Sequence, residues 1–198
     1  MIKKILLFIL IALIITIICF WFWGTAPYIS DKRINETQTF LKANRFNPDF
    51  CIFVDFSAYT GKKRFMLYSF KEGKVVYSCK CASGKNKSEF SNRVGSNLSS
   101  LGKYKIGRKR TLRNVNGFGD ISKWNIPCYE LHGLEKSNSN AYKRGILIHP
   151  DPLLFNIPIP ILLPNHSQGC FSIPKSSFKE LDIILSESKK PILLIAFN

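Results

Sequence analysis

The sequence predicts a mainly β domain, sandwich-like or barrel-like with a few short helices, behind one apolar N-terminal helix. Three observations carry this. Short β-rich runs joined by turns recur from residue 51 onward. Only one helix with a clear apolar face follows them, near the C-terminus. Ahead of them, Ile5 to Trp23 form a stretch of 19 residues without a charge. Many short strands with a single good helix fit a sheet packed on a sheet or closed on itself. A length of 198 residues leaves room for one sizeable domain plus an anchor.

The apolar stretch comes first. As a helix it spans roughly 28 Å, close to the thickness of a bilayer core. Lys3 and Lys4 precede it, which keeps the N-terminus in the cytoplasm, and Trp21, Trp23 and Tyr28 follow at the headgroup level. A cleaved signal peptide is the rival. Its apolar core is normally shorter, and the best small-residue site here, Gly24-Thr25-Ala26, is followed by Pro27. Cys19 lacks the small preceding residues of a lipidation site, so it reads as an apolar residue of the span. Residues 1–26 are therefore read as a transmembrane anchor, 27–48 as a stalk helix and linker, and 49–198 as the working domain. The domain then lies outside the cytoplasmic membrane, on the periplasmic or cell-wall side.

In the stalk, Ile34, Thr37, Phe40 and Leu41 recur at helical spacing, and Asn47-Pro48 ends the run. Strands are expected at Cys51–Phe56, Arg64–Phe70 and Lys74–Cys79, the last two joined by Lys71-Glu72-Gly73 as a hairpin. Residues 83 to 102, rich in Ser, Asn and Gly, read as a long loop, and such loops are often functional. Shorter strands are expected at Tyr104–Ile106, Tyr129–His132 and Ile146–His149. Ser177-x-x-Glu180 reads as a capping box opening a helix with Phe178, Leu181, Ile184 and Leu185 on one face. The terminal apolar run Pro191–Phe197 reads as a buried strand.

Net charge is +16, of which +14 remains once Lys3 and Lys4 are set aside. For a domain beyond the membrane, anionic headgroups and wall polymers are better partners than nucleic acid. Of six Cys, one lies in the anchor. Cys79 and Cys81 are two apart in an alternating segment and share a strand face, which suits buried thiols as well as bridges. With three His and no compact Cys/His cluster, the pattern is not that of a zinc site. No cofactor is called for.

The chemistry concentrates near the C-terminus. His149 closes the run Ile146-Leu147-Ile148, and 17 residues later comes Ser167-Gln168-Gly169-Cys170. A thiol attacks as thiolate, so it needs a base or a lowered pKa, and an imidazole at a strand end is well aimed to serve. Gly169 permits an unusual backbone angle, so the N–H of Cys170 and those of the preceding turn can form an oxyanion hole. Ser167 can hold the loop, as can Gln168 within it. The carbonyl of Pro150 is available to orient the imidazole. Taken singly, a Cys is usually a small buried hydrophobe and a His a structural residue. The combination at this spacing argues for acyl transfer through a thioester. His132 and His166 are rival bases, and the residues alone do not decide among the three.

The segment resembles the murein L,D-transpeptidases, whose catalytic stretch reads His, a spacer of this length, then Ser-x-Gly-Cys. Further pieces agree in order: Val54-Asp55-Phe56-Ser57, Arg64, Phe90-Ser91-Asn92, Gly95-Ser96, Ser99-Ser100-Leu101-Gly102 before Tyr104, Gly133-Leu134-Glu135, then Asn140, Ala141 and Arg144 ahead of His149. The resemblance covers about residues 50 to 197. It departs at Gln168, where a His is usual, at Pro150 in place of a common Gly, and at Ser83-Gly84 in place of His-Gly. It implies Cys170 as nucleophile and His149 as base. It makes Arg144, Asn140, Ser99 and Ser100 substrate-binding candidates, with His166 beside the Cys170 loop.

By that resemblance the expected activity is cross-linking or trimming of peptidoglycan stem peptides, the latter as an L,D-carboxypeptidase with water as acceptor. Rivals of another class are a non-catalytic wall-binding module and a structural protein with Cys170 in a disulfide.

Overall fold

The computed structural model describes residues 2–24, 27–84, 89–112, 125–156 and 167–198. Helix α1 spans Ile2–Gly24 and α2 spans Asp31–Ala43. Strands β1 (Phe50–Asp55), β2 (Phe65–Ser69), β3 (Lys74–Cys79), β4 (Gly102–Leu112), β5 (Ile126–Gly133), β6 (Leu147–Asp151) and β7 (Phe171–Pro174) follow. Helix α3 (Lys175–Glu187) and β8 (Leu193–Phe197) complete the described chain.

The strands form one mixed 8-stranded sheet in the order β3-β2-β1-β8-β4-β5-β6-β7. Its two ends meet: Ala82, just beyond β3, exchanges two backbone hydrogen bonds with Ser172 of β7, at 2.8 and 3.2 Å. That bridge closes the sheet on itself and gives the barrel-like form the strand pattern implies. Two pairings are parallel, β1 with β8 and β6 with β7. Parallel neighbours need a crossover, and for β6–β7 the connecting segment is the one that ends in Ser167–Cys170.

Alternation along the strands sorts the side chains into two faces. Ile52, Val54, Phe65, Leu67, Tyr104, Leu131, Ile148, Phe171 and Ile173 fill the inside, sealed by Phe178 and Leu181 of α3. Cys51, Phe53, Met66, Tyr68, Leu193 and Ile195 face outward over β1, β2 and β8. They would be exposed but for Ile29, Leu41 and Phe46, which pack on them. The segment expected as a stalk thus carries α2, and α2 is docked on the sheet. Leu41 is fully buried there, worth about 1.5–3 kcal/mol. On the rest of the outer face, the register sets Cys128 and Glu130 of β5, His149 of β6 and Ser172 of β7 side by side.

Three expectations are corrected. Strand β4 runs well past Ile106, because Lys109, Arg110 and Thr111 continue the ladder with β5 as solvent-facing residues. Strand β7 is unanticipated, being only four residues long and ending in Pro174. Helix α3 begins at Lys175 with Pro174 as N-cap, so Ser177 lies inside its first turn and the capping-box reading starts the helix too late.

Helix α1 is long and apolar enough to cross a membrane, and its window Ile2–Phe20 is not buried against the rest of the protein. At 23 residues it is about 34 Å long.

Candidate active site

Cys170 stands at the lip of β7, on a turn that its own neighbours build. The Ser167 hydroxyl donates to the Cys170 carbonyl at 2.8 Å, and the Gly169 N–H donates back to Ser167 Oγ at 3.1 Å. Gly169 takes φ +109°, a conformation that suits glycine alone. The site also lacks room for more: a Cβ there would lie 2.7 Å from the Leu98 carbonyl oxygen and 2.8 Å from Ile146 Cδ1. From outside the turn, the Ser99 hydroxyl donates to the Gly169 carbonyl at 3.1 Å while accepting from the Gly84 N–H at 3.0 Å. Gln168 is the exposed member of the turn. The Cys170 thiol donates to the Gly145 carbonyl at 3.6 Å.

His149 lies on the neighbouring parallel strand. Its Nδ1 is 3.0 Å from the Pro150 carbonyl oxygen. A carbonyl only accepts, so Nδ1 carries the proton and Nε2 of the neutral ring offers a lone pair. Nε2 is 3.1 Å from Ser172 Oγ, whose hydroxyl donates to it. The register pairs Ile148 with Phe171 and His149 with Ser172. Continued by one step it sets Cys170 beside Leu147, so Cys170 and His149 share the outer face as diagonal neighbours. At ~3.3 Å per residue and ~4.8 Å between strands, their Cα atoms are about 8 Å apart, within reach of a thiol and an imidazole ring.

The thiol is held protonated. Burial pushes the Cys170 thiol from its ordinary value near 9 up to about 11, and nearby Cys128 adds to this; the Leu147 N–H and Arg144 pull the other way without prevailing. Burial likewise raises Cys51, Cys79 and Cys81, the last to about 12 despite Arg64. All six cysteines are free thiols. Cys170 differs from the four other domain cysteines in being partly open to solvent.

The remaining expected site residues divide into two kinds of position. Arg144 donates to the carbonyls of Ser91 (2.6 Å) and Leu98 and to Ser96 Oγ (3.2 Å), tying down the 91–98 loop. The N–H and side-chain amide of Asn140 bond Asn92 at 2.9 and 3.0 Å. Ser100 is buried against the Tyr104 hydroxyl at 2.8 Å. Arg144, Asn140, Ser99 and Ser100 therefore hold the loop that packs on the Cys170 turn. His132, two residues beyond Glu130 on β5, stacks on Tyr142 at 4.6 Å with Nε2 3.4 Å from Glu130 Oε2. His166 lies outside the described residues.

Sequence reasoning missed several residues here. Ser172 escapes because β7 went unrecognised; two residues after Cys170, it had to share its face. Arg64 is buried and bonds the carbonyls of Cys81 (2.8 Å) and Ala58 (3.1 Å) and Ser83 Oγ (3.2 Å). Glu130, also buried, takes a bond from Arg110 at 3.1 Å. No local pattern announces such long-range partners.

Fold and site together place the molecule among β-sheet proteins that present a cysteine and a histidine from adjoining parallel strands. The L,D-transpeptidase catalytic domain model matches residues 25–194, and the chain belongs to that family. No curated protein matches the chain. Similar solved structures include a mutant of the Enterococcus faecium L,D-transpeptidase, 20% identical, covering 76% of this chain and 52% of that one with a TM-score of 0.44. Another is the helical cell shape determining protein of Campylobacter jejuni, 15% identical over 75% and 47% of the two chains, TM-score 0.47. A third is L,D-transpeptidase 3 of Mycobacterium tuberculosis with a faropenem-derived adduct, 14% identical over 76% and 60%, TM-score 0.45. The chain spans about half the length of the first structures it matches.

Proposed function

We propose that this protein is a membrane-tethered cysteine acyltransferase of the cell wall, acting on peptidoglycan stem peptides through a Cys170 thioester. The observation that carries the reading is the state of His149. Its Nδ1–H is committed to the Pro150 carbonyl, so Nε2 faces Ser172 and the Cys170 side of the strand pair as an acceptor. In the reaction, Nε2 takes the Cys170 proton as sulfur attacks the carbonyl of the third stem residue. The Cys170 N–H holds the oxyanion, such a donor being worth about 3 kcal/mol; the Gly169 N–H is already given to Ser167 Oγ. The imidazolium then gives its proton to the departing D-Ala amine, leaving a thioester. An amine of a neighbouring stem attacks the thioester and restores the thiol, giving a third-to-third cross-link. Water in place of the amine makes the same site an L,D-carboxypeptidase.

The thiol's high pKa favours this division of labour. A Cys170 resting as thiol at neutral pH needs its proton removed as it attacks. Arg144, Asn140, Ser99 and Ser100 serve by shaping the loop against Gly169. Helix α1 supplies the tether, with the domain on the wall side. The test is incubation of the purified protein with stem peptides and mass spectrometry of the products. A dimer lacking one D-Ala marks the transpeptidase and a shortened monomer the carboxypeptidase. Unchanged peptides from a folded, reduced protein reject both.

A further inference from the structure

The chain enters the domain at the end of the barrel that carries Cys170. At that end β1 and β8 finish, at Asp55 and Phe197, and β6 and β7 begin, at Leu147 and Phe171. The antiparallel pairings put the start of β2 and of β4 and the finish of β3 and of β5 at the same end. The Ser167–Cys170 turn therefore shares one rim with the segments 56–64, 91–101 and 134–146. Helix α2 starts at this rim, where the Arg33 guanidinium lies 3.7 Å over the Phe197 ring. It runs toward the far end, where the Asn47 N–H donates to the Pro191 carbonyl at 2.9 Å.

Gly24 ends α1 and Asp31 begins α2, with residues 25–30 between them. Fully extended, a segment of that length reaches about 20 Å. Ile29 within it is already buried against the outer face of the sheet, so the free length is shorter still. The far end of the barrel is farther off by about 20 Å, the length of the 13-residue α2. A bilayer crossed by α1 thus has the Cys170 rim as the part of the domain tied nearest to it.

The surface of the rim suits that neighbour. Among the described residues after α1, nine large apolar side chains are exposed, and five are here: Tyr28, Tyr59, Val94, Leu134 and Tyr142. The other four are dispersed over β3, the segment after β6 and α3. Basic residues accompany them in each loop: Lys62 and Lys63, Arg93, Lys136 and Lys143. Of the acids on the rim, Asp55 is buried and accepts from Ser57 at 2.9 and 2.6 Å, and Glu135 is paired with Lys103 at 2.7 Å. Asp31 and Glu89 are the remaining ones among the described residues. Tyrosine rings favour the headgroup layer, and lysine and arginine are drawn to anionic headgroups. The far end is basic too, with Lys71, Lys189 and Lys190, so the entry of the chain and the apolar side chains choose the end. We infer that the Cys170 rim is a docking surface for an anionic bilayer, so that the nucleophile works beside the headgroups. The inference rests on the reading of α1 as a retained tether.

The test is amide hydrogen exchange of the full chain in vesicles of phosphatidylcholine alone and in vesicles with added phosphatidylglycerol. Segments 56–63, 91–98 and 134–145 should exchange about threefold slower or more in the anionic vesicles, and the far-end turns 70–73 and 188–191 should not change. High salt should remove the difference. The triple variant Arg93→Glu, Lys136→Glu and Lys143→Glu should lose the protection. The same three positions changed to Gln serve should the charge reversal perturb the fold. Equal exchange in the two kinds of vesicle, protection of the far-end turns instead, or protection undiminished in both variants would overturn the docking surface. Flotation with the neutral vesicles reports the tether separately. A chain that floats with them but gains no protection on anionic lipid keeps its tether and loses the surface. One that fails to float with them yet gains the protection on anionic lipid keeps the surface and loses the tether.

Discussion

The Nε2 atom of His149 lies 3.1 Å from the hydroxyl oxygen of Ser172, its registered partner across β6 and β7. Because Nδ1 is fixed by the Pro150 carbonyl at 3.0 Å, the ring is held at both nitrogens. In the proposed mechanism Ser172 positions the base, its hydroxyl occupying the lone pair until substrate arrives. Replacing His149 by Ala should slow Cys170 acylation by about 10²-fold or more, the usual reach of a general base. Ser172→Ala should cost less, about tenfold or under, since the Pro150 contact remains. His132→Ala should also cost less, its ring being committed to Tyr142 and Glu130. The measurement is the acylation rate with a carbapenem as substrate mimic. A slower reaction in His132→Ala than in His149→Ala assigns the base to His132.

Cys170→Ala should abolish turnover while the domain stays folded. The thiol is partly exposed and makes one long bond to Gly145, so little packing is lost. Cys51, Cys79, Cys81 and Cys128 face a different test. Each is buried, and Ser at these positions should lower Tm through an added polar hydroxyl while leaving the rate per folded molecule near that of wild type. Retained cross-linking or trimming in Cys170→Ala would remove the thioester from the mechanism.

Gly169→Ala should destabilise the site and the fold together. The φ of +109° is strained for alanine, and its Cβ would stand 2.7 Å from the backbone oxygen of Leu98, which is not free to swing aside. Such strain costs on the order of 1–3 kcal/mol before any clash is relieved. Arg144→Ala should act at the other side of the same contact, releasing three bonds to the 91–98 loop. Both variants should lower Tm, and both should slow acylation more than they weaken peptide binding. An Arg144→Ala protein with normal Tm and rate would show that the loop holds without it.

Much of this arrangement is legible in the chain, and the limits have physical causes. Runs such as Cys51–Val54 and Leu193–Ala196 are buried on both faces, so an apolar stretch marks the strand without ambiguity. Strand β4 is harder, because Arg108 to Thr111 is polar and the pairing with β5 is what extends it. Strand β7 is short and begins at the turn that attracts attention for its cysteine. The docking of α2 was hidden for another reason: Leu41 and Ile34 announce an apolar face but not what covers it. Within the site, the Ser-Gln-Gly-Cys turn is a local motif and reads directly. The bonds from Arg144 to residues 91–98 and from Asn140 to Asn92 cross some fifty positions, and sequence spacing carries no trace of them.

The pH response follows from the raised thiol. In the folded protein Cys170 stays protonated to about pH 11, against an ordinary value near 9. Between these values the unfolded chain has released the proton and the folded one has not. Folding stability therefore falls as pH rises through this window, and below about 9 the group contributes no slope. Cys170→Ala should flatten that part of the stability curve relative to wild type, as measured by urea unfolding at each pH. In the same window, alkylation of Cys170 by iodoacetamide in His149→Ala should climb with a midpoint near 11. A midpoint at 9 or below would mean a thiolate already stabilised without its base.

The proposed tether would set where any of this chemistry can occur. Lys3 and Lys4 precede an uncharged span of 19 residues, which lies within the continuous helix α1, whose window Ile2–Phe20 is unburied. Positive residues stay on the cytoplasmic side, so the domain after α1 should emerge on the other. Its net charge of +14 should not reverse this, since large domains translocate largely regardless of charge. Stem peptides of assembled wall lie beyond the membrane, so on the proposed reading only this orientation would bring them to Cys170. Reporters fused after Asn198 read the topology directly. Alkaline phosphatase, which needs oxidising conditions, should be active there, and a fluorescent protein that folds only in the cytoplasm should be dark. The reverse result would hold Cys170 in a reducing compartment away from the wall, and the proposed substrate would then have to be abandoned even with the thiol and imidazole intact.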